Sequence, residues 1–154
     1  MKTVIAGSRS IADAHLIPLA IKLCGWEITE VVCGMAPGVD MMGYDWAVAR
    51  GIHVEPFPAK WSDLTAHPCK IGVNRLGKQY NILAGHNRNL EMAGYAEALI
   101  AIWDGRSPGT RHMISAARGR GLKVAVFKLA QVDGADGAPA TTALTLEPEP
   151  TQRP

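Results

Sequence analysis

The chain has 154 residues, 47% apolar and 19% charged, enough for one domain with its own core and ordinary for a globular protein. Its net charge of +2, with no run of like charge, gives no support for nucleic acid or an anionic membrane as a partner. No apolar stretch is long enough to span a bilayer, and Met1-Lys2-Thr3-Val4-Ile5 reads as the start of a strand, not as a leader, so a cytoplasmic protein is expected.

Lys2 to Ala6 is a short β-branched run ending at Gly7-Ser8-Arg9-Ser10, the pattern of a buried parallel strand and a glycine turn. Asp13 to Leu23 carries apolar residues at helical spacing. Gly25 is its stop, and Pro18 marks either the start of the helix or a kink. Glu30 to Cys33 is a second strand. It leads into Gly34-Met35-Ala36-Pro37-Gly38-Val39-Asp40 and a helix from Met41 to Ala49, closed by Gly51. Ile52 to Phe57 is a third strand, weakened at its end by Pro56 and Pro58. Ala59 to Leu83 is irregular and net basic. It is expected to run over the ligand face with a short helix, or to be an ordinary solvated insertion. Ala84 to Asn89 opens a helix with Leu90, Met92, Ala93 and Ala96 as its apolar stripe. Glu97 to Trp103 is the most hydrophobic strand. A turn over Asp104 to Thr110, a helix from His112 to Gly119 and a fifth strand from Leu122 to Phe127 complete the pattern. Residues 131–154, rich in Pro, Ala, Gly and Thr, are expected as a disordered or extended tail to a domain spanning 1–130.

Strands alternating with helices predict an α/β fold: a Rossmann-like parallel sheet of about five strands with helices on both faces. Right-handed crossovers then gather the glycine turns at the C-terminal edge of the sheet, where such folds bind ligands. Three turns share a design there. They are Gly7-Ser8-Arg9, Gly34 to Asp40 with Ala36, Pro37 and Gly38, and Ser107-Pro108-Gly109-Thr110. Glycine beside a helix N-terminus lets a phosphate approach unpaired N–H groups, although any tight turn also needs glycine. Neither G-x-G-x-x-G nor a P-loop occurs, which disfavours a standard dinucleotide or P-loop enzyme.

Arg9 suits a bidentate phosphate contact or a plain surface role. Arg88 falls in the first turn of a helix, where a cation opposes the helix dipole, so an anion or a carboxylate is expected beside it. Ser107 and Thr110 are phosphate donors or helix caps. Asp40 either accepts from a ribose hydroxyl or acts as a first-turn acid. Trp61 is the stacking candidate, with Trp46 and Trp103 assigned to the core. His67, His86 and His112 are acid/base candidates by type alone. The odd, widely spaced Cys24, Cys33 and Cys69 suggest reduced thiols. No C-x-x-C or H-x-x-x-H spacing suggests a metal, and no cofactor is expected.

Five motifs in order, over Lys2 to Lys128, resemble the YspA/YpsA-related branch of the SLOG superfamily. They are Val4-Ile5-Ala6-Gly7-Ser8-Arg9, Gly34-x-Ala36-Pro37-Gly38-Val39-Asp40, Pro58-Ala59-x-Trp61, Ala84-Gly85-x-x-Arg88-Asn89-x-x-Met92 and Ser107-x-Gly109-Thr110. The superfamily also contains the LOG nucleotide phosphoribohydrolases and the DNA-processing protein DprA. The resemblance implies a Rossmann-like domain, often oligomeric, that binds a nucleotide-derived small molecule such as a phosphorylated nucleoside or an ADP-ribose-like ligand as a sensor or carrier. A nucleotide N-glycosidase or phosphoribohydrolase at the same site is the alternative. LOG enzymes pair an R-K-x-x-M helix start with a P-G-G-x-G-T-x-x-E loop. Here Arg88-Asn89-x-x-Met92 resembles the first, but His112 or Met113 stands where the second has glutamate. Asp104 and Glu91 are the carboxylates considered as substitutes.

Overall fold

The β-branched runs of the sequence become a central sheet whose two faces are both covered. The computed structural model describes residues 1–132, 135–137 and 141–149. The strands are β1 (Lys2–Gly7), β2 (Glu30–Cys33), β3 (His53–Pro56), β4 (Ile71–Val73), β5 (Gln79–Asn81), β6 (Ala98–Trp103), β7 (Lys123–Val132) and β8 (Thr141–Leu146). The helices are α1 (Leu16–Cys24), α2 (Val39–Val48), α3 (Ala84–Tyr95) and α4 (Pro108–Gly119). The main sheet has the order β3-β2-β1-β6-β7-β8. Its first five strands are parallel, and β8 lies antiparallel on β7. The architecture is Rossmann-like, as expected. The sixth strand comes from the stretch expected as tail: residues 141–146 are extended and hydrogen-bonded to β7, which itself runs beyond Phe127 to Val132. Residues 133–134, 138–140 and 150–154 of that stretch lie outside the described residues.

Alternation along the strands divides the core. Ile5, Val31, Ile100, Ile102 and Phe127 face Leu16, Ile17 and Ala20 of α1 and Val39 and Ala47 of α2. Val4, Ala6, Val32, Leu99, Ala101 and Val126 face Met92 and Ala93 of α3 and Met113, Ile114 and Ala117 of α4. Burying each larger side chain stabilises the fold by roughly 1.5–3 kcal/mol, so both layers are needed. Leu90 is exposed, and the apolar stripe of α3 turns instead through Ala84, Met92 and Ala93.

Local signals explain the helix limits. Pro18 sits in the first turn of α1, where its missing N–H has no helical partner, so it starts the helix without kinking it. Gly25 ends α1 at φ +64°, its N–H donating to Ile21 O at 3.0 Å. Helix α4 begins four residues earlier than expected, because Pro108 is pre-set for the first helical position. The irregular segment holds no helix. It forms the antiparallel hairpin β4–β5, turned by Asn74, whose Oδ1 accepts from the N–H groups of Leu76 and Lys78.

The chain leaves β3 at one edge, crosses through the hairpin and α3, and returns on the other side of β1 as β6. The direction of winding therefore reverses between β1 and β6. A crevice opens at the C-terminal ends of the strands at such a point.

Candidate functional site

At that crevice lies a cavity of about 220 Å³. Gly7 and Arg9 come from the β1 turn, Ala36 and Asp40 from the β2 turn and α2. Arg88 and Asn89 come from α3, and Ser107, Gly109 and Thr110 from the start of α4. A second depression of about 280 Å³ shares Arg9, Ala36, Trp61 and Arg88 with it and adds Gly34 and Pro37. Eleven of the thirteen candidate residues thus line one continuous cleft.

The other two hold it together. The Ser8 side chain is buried, and its Oγ accepts from Asp104 N–H at 3.1 Å, tying the β1 turn to the β6 turn. Its hydroxyl therefore does not face the cleft. Gly38 has φ +86°, and a Cβ there would meet the backbone of Ser8 and Arg9 at 2.6–2.8 Å. Glycine is required at that position because two loops touch through it.

Arg88 is committed to the protein. Its guanidinium donates to Gly34 O and to Phe57 O (3.4 Å), and its Nε donates to Asn89 Oδ1 at 3.1 Å. Asn89 Nδ2 in turn reaches Gly109 O and His112 Nδ1, each at 3.2 Å. One arginine–asparagine pair thereby links the β2 turn, the residue that follows β3, α3 and α4. The carboxylate expected near Arg88 is Asp40, which stands in its field. Asp40 is only 4% exposed. Burial pushes its carboxyl up to about 6, and the positive charges of Arg88 and Arg9, with backbone N–H donors, act against that rise. Gly34 keeps the two groups close: a Cβ there would lie 2.6 Å from both Arg88 Nη1 and Asp40 Oδ2. The next residue, Met35, has φ +59°, a left-handed conformation unusual outside glycine.

Arg9 is exposed and makes no ion pair among the described residues. Ser107 occupies the cap position of α4, but its side chain makes no capping bond. Its Oγ accepts instead from Thr110 Oγ1 at 3.3 Å. Helix α2, capped by Gly38, has no side-chain cap either. Two helix N-termini therefore bring uncapped N–H groups to a cleft holding a free arginine. That is the physical recipe for binding an anion.

The hairpin segment supplies the apolar wall. Trp61 and Ile82 line the cavity, and the Trp61 ring packs edge-on against Tyr80 with centroids 6.4 Å apart. Asn81 is buried and fixes this segment. Its N–H donates to Trp61 O at 2.7 Å, and its Oδ1 accepts from Lys70 and Leu83 N–H. Trp46 and Trp103 pack against the core, as expected. His86 lines the cavity and stacks on His112, centroids 4.0 Å apart. Burial and the neighbouring imidazole lower the pKa of His112. Spacing does not reveal this pair, which depends on how α3 and α4 pack. Asp104 and Glu91 do not line the cleft. Asp104 Oδ1 accepts from the N–H groups of Arg106 and Ser107, and those bonds keep its pKa low.

Residues 1–63 match the YspA, cpYpsA-related SLOG family. The matched stretch runs from β1 through the Gly34–Asp40 turn to Trp61, and bears out the resemblance for the motifs that lie within it. The fold is similar to that of the solved structure of DNA processing protein A (DprA) from Streptococcus pneumoniae, with TM-score 0.60 and 21% identity. That match covers 81% of this chain and 49% of the DprA chain, so the present chain spans about half its length. The likeness at this identity is one of fold. The comparison with curated proteins returned no match. Among the described residues, no helix is long and apolar enough to cross a membrane, and no group of three or more His, Cys, Asp or Glu is arranged to hold a metal.

Proposed function

We propose that the cleft binds a nucleotide-derived ligand, a phosphorylated nucleoside or an ADP-ribose-like molecule, and that the protein acts as a sensor or carrier of it. The SLOG match supports a nucleotide-related function in general. One observation carries the finer reading: Arg9, without an ion pair among the described residues, and the starts of α2 and α4, without side-chain caps, converge on a cleft walled by Trp61. The first group suits phosphate, and the ring suits a base. Binding without hydrolysis is favoured over the LOG-like alternative. His112 is tied to Asn89 and His86, Met113 is buried in the core, and neither Asp104 nor Glu91 reaches the cleft.

Thermal shift against AMP, ADP, ADP-ribose and NAD tests this. At a ligand concentration 100 times Kd, stabilisation by about 2.7 kcal/mol is expected, read as a rise of several degrees in Tm. Arg9→Ala should weaken the rise with little change in the unliganded Tm, because Arg9 is exposed and unpaired. The proposal fails if no phosphorylated nucleoside shifts Tm at millimolar concentration.

A further inference from the structure

Asp40 is at odds with its surroundings. A cleft prepared for an anion should exclude a carboxylate, which repels phosphate. Yet Asp40 lines it, and it is the sole Asp or Glu that does so among the described residues. A carboxylate can accept about four hydrogen bonds. Asp40 receives a long 3.4 Å bond from Ala36 N–H to Oδ2, and the Gly7 N–H also acts on its carboxylate, which leaves about half of that capacity unused. It makes no ion pair within 4.0 Å among the described residues, because Arg88 is spent on Gly34 O, Phe57 O and Asn89 Oδ1. A nearly buried acceptor with this much unused capacity is expensive to keep.

Building on the proposed binding of a nucleotide-derived ligand, we infer that Asp40 reads the sugar: its carboxylate accepts hydroxyl groups of a ribose whose phosphate lies against Arg9 and the α4 start. The placement favours the sugar over the base. Asp40 stands within the fields of both Arg9 and Arg88, at the cationic part of the cleft, whereas the apolar wall is formed by Trp61 and Ile82. In a nucleotide the group bonded to the phosphate is the sugar, and the base is one ring further away. A ribose cis-diol offers two O–H donors to a carboxylate that has room for both. The bare backbone at Gly34 leaves Arg88 and Asp40 adjacent, so the guanidinium holds the acceptor in place without consuming it.

The test compares AMP, 2′,3′-dideoxy-AMP and ribose 5-phosphate by calorimetry on the wild-type protein and on Asp40→Asn. Hydrogen bonds to a charged acceptor are worth enough that the diol should give AMP about a 10- to 100-fold advantage over the dideoxy compound. Ribose 5-phosphate should bind and compete with AMP, because it carries both recognised groups. Asp40→Asn should bind AMP and dideoxy-AMP within about threefold of each other. The inference is overturned if dideoxy-AMP binds the wild type as tightly as AMP, or if the variant keeps the full preference. Recognition of the base by Asp40 would show as AMP binding with no competition from ribose 5-phosphate, and also overturns it. If none of the three probes binds, the inference is overturned, and the binding proposal falls with it only if ADP, ADP-ribose and NAD also leave Tm unchanged; equal binding of AMP and dideoxy-AMP overturns the inference and leaves that proposal standing.

Discussion

Gly7→Ala should lower Tm by more than about 10 °C, or yield no folded protein, whereas Gly109→Ala should fold normally. Both glycines belong to cleft-lining turns, and sequence alone gives them the same reading. The structure separates them. A Cβ on Gly7 would drive into Ile102 O and also meet Val39 at 2.8–2.9 Å. Ile102 belongs to β6, paired in register with Gly7, and its carbonyl accepts Ser8 N–H at 3.1 Å. The clash is therefore between backbones at the centre of the sheet, where no rotamer change relieves it. Relief means separating β1 from β6, and the crevice exists because those two strands are neighbours. A Cβ on Gly109 meets nothing within 4 Å. In the first turn of α4 alanine removes some unfolded-state entropy, so Tm should stay level or rise by a degree or two. That methyl would stand on the cleft lining beside Thr110, and the nucleotide-induced shift should fall. Circular dichroism melts of the two variants with and without AMP read both effects. A well-folded Gly7→Ala protein with wild-type Tm would mean that the β1–β6 contact is not the constraint described.

The sheet was legible because buried parallel strands write themselves as β-branched runs. Glu30–Cys33 is a strand over the whole of that run. The start of α4 was harder, since Pro108 reads as a loop residue until the chain is seen to turn helical around it. The hairpin was not legible: β4 and β5 have three residues each, and in β4 the apolar Ile71 and Val73 are the exposed ones, flanking a glycine. Residues 141–146 look like a tail by composition. They are extended because β7 offers them an open edge, a property of the other strand. The same distinction holds in the cleft. Motif spacing brought Arg88, Asn89 and the glycine turns into one set. It did not show that Arg88 is consumed as a brace while Arg9 stays free, nor that Ser8 turns inward. Those assignments depend on which carbonyls converge on a guanidinium, and such convergence is fixed by tertiary packing.

Asp40→Asn should make the unliganded protein more stable at pH 8 and leave it unchanged below pH 4. In the folded chain the Asp40 carboxyl titrates at about 6, against an ordinary value of 3.8, because burial penalises the charge. The folded pKa lies above the unfolded one, so the folded state binds the proton more tightly. Stability from this group is then fully present below about 3.8 and is lost as pH rises through 6. Above that range the loss amounts to about 3 kcal/mol, on the order of 5–10 °C in Tm for a chain of this size. Asparagine carries no charge and fills nearly the same volume, and Arg88 keeps its three hydrogen bonds when the carboxylate is gone. Melting curves of both proteins between pH 3.5 and 8.5 give the test in their difference, since every other titrating group is shared. The gap should open between pH 4 and 6 and then stay constant. A variant less stable than wild type at pH 8 would make the carboxylate a structural clamp. A variant more stable there would mean that the fold carries an ionised Asp40 at its own expense, and the natural return on that expense is the ligand hydroxyls it is placed to receive.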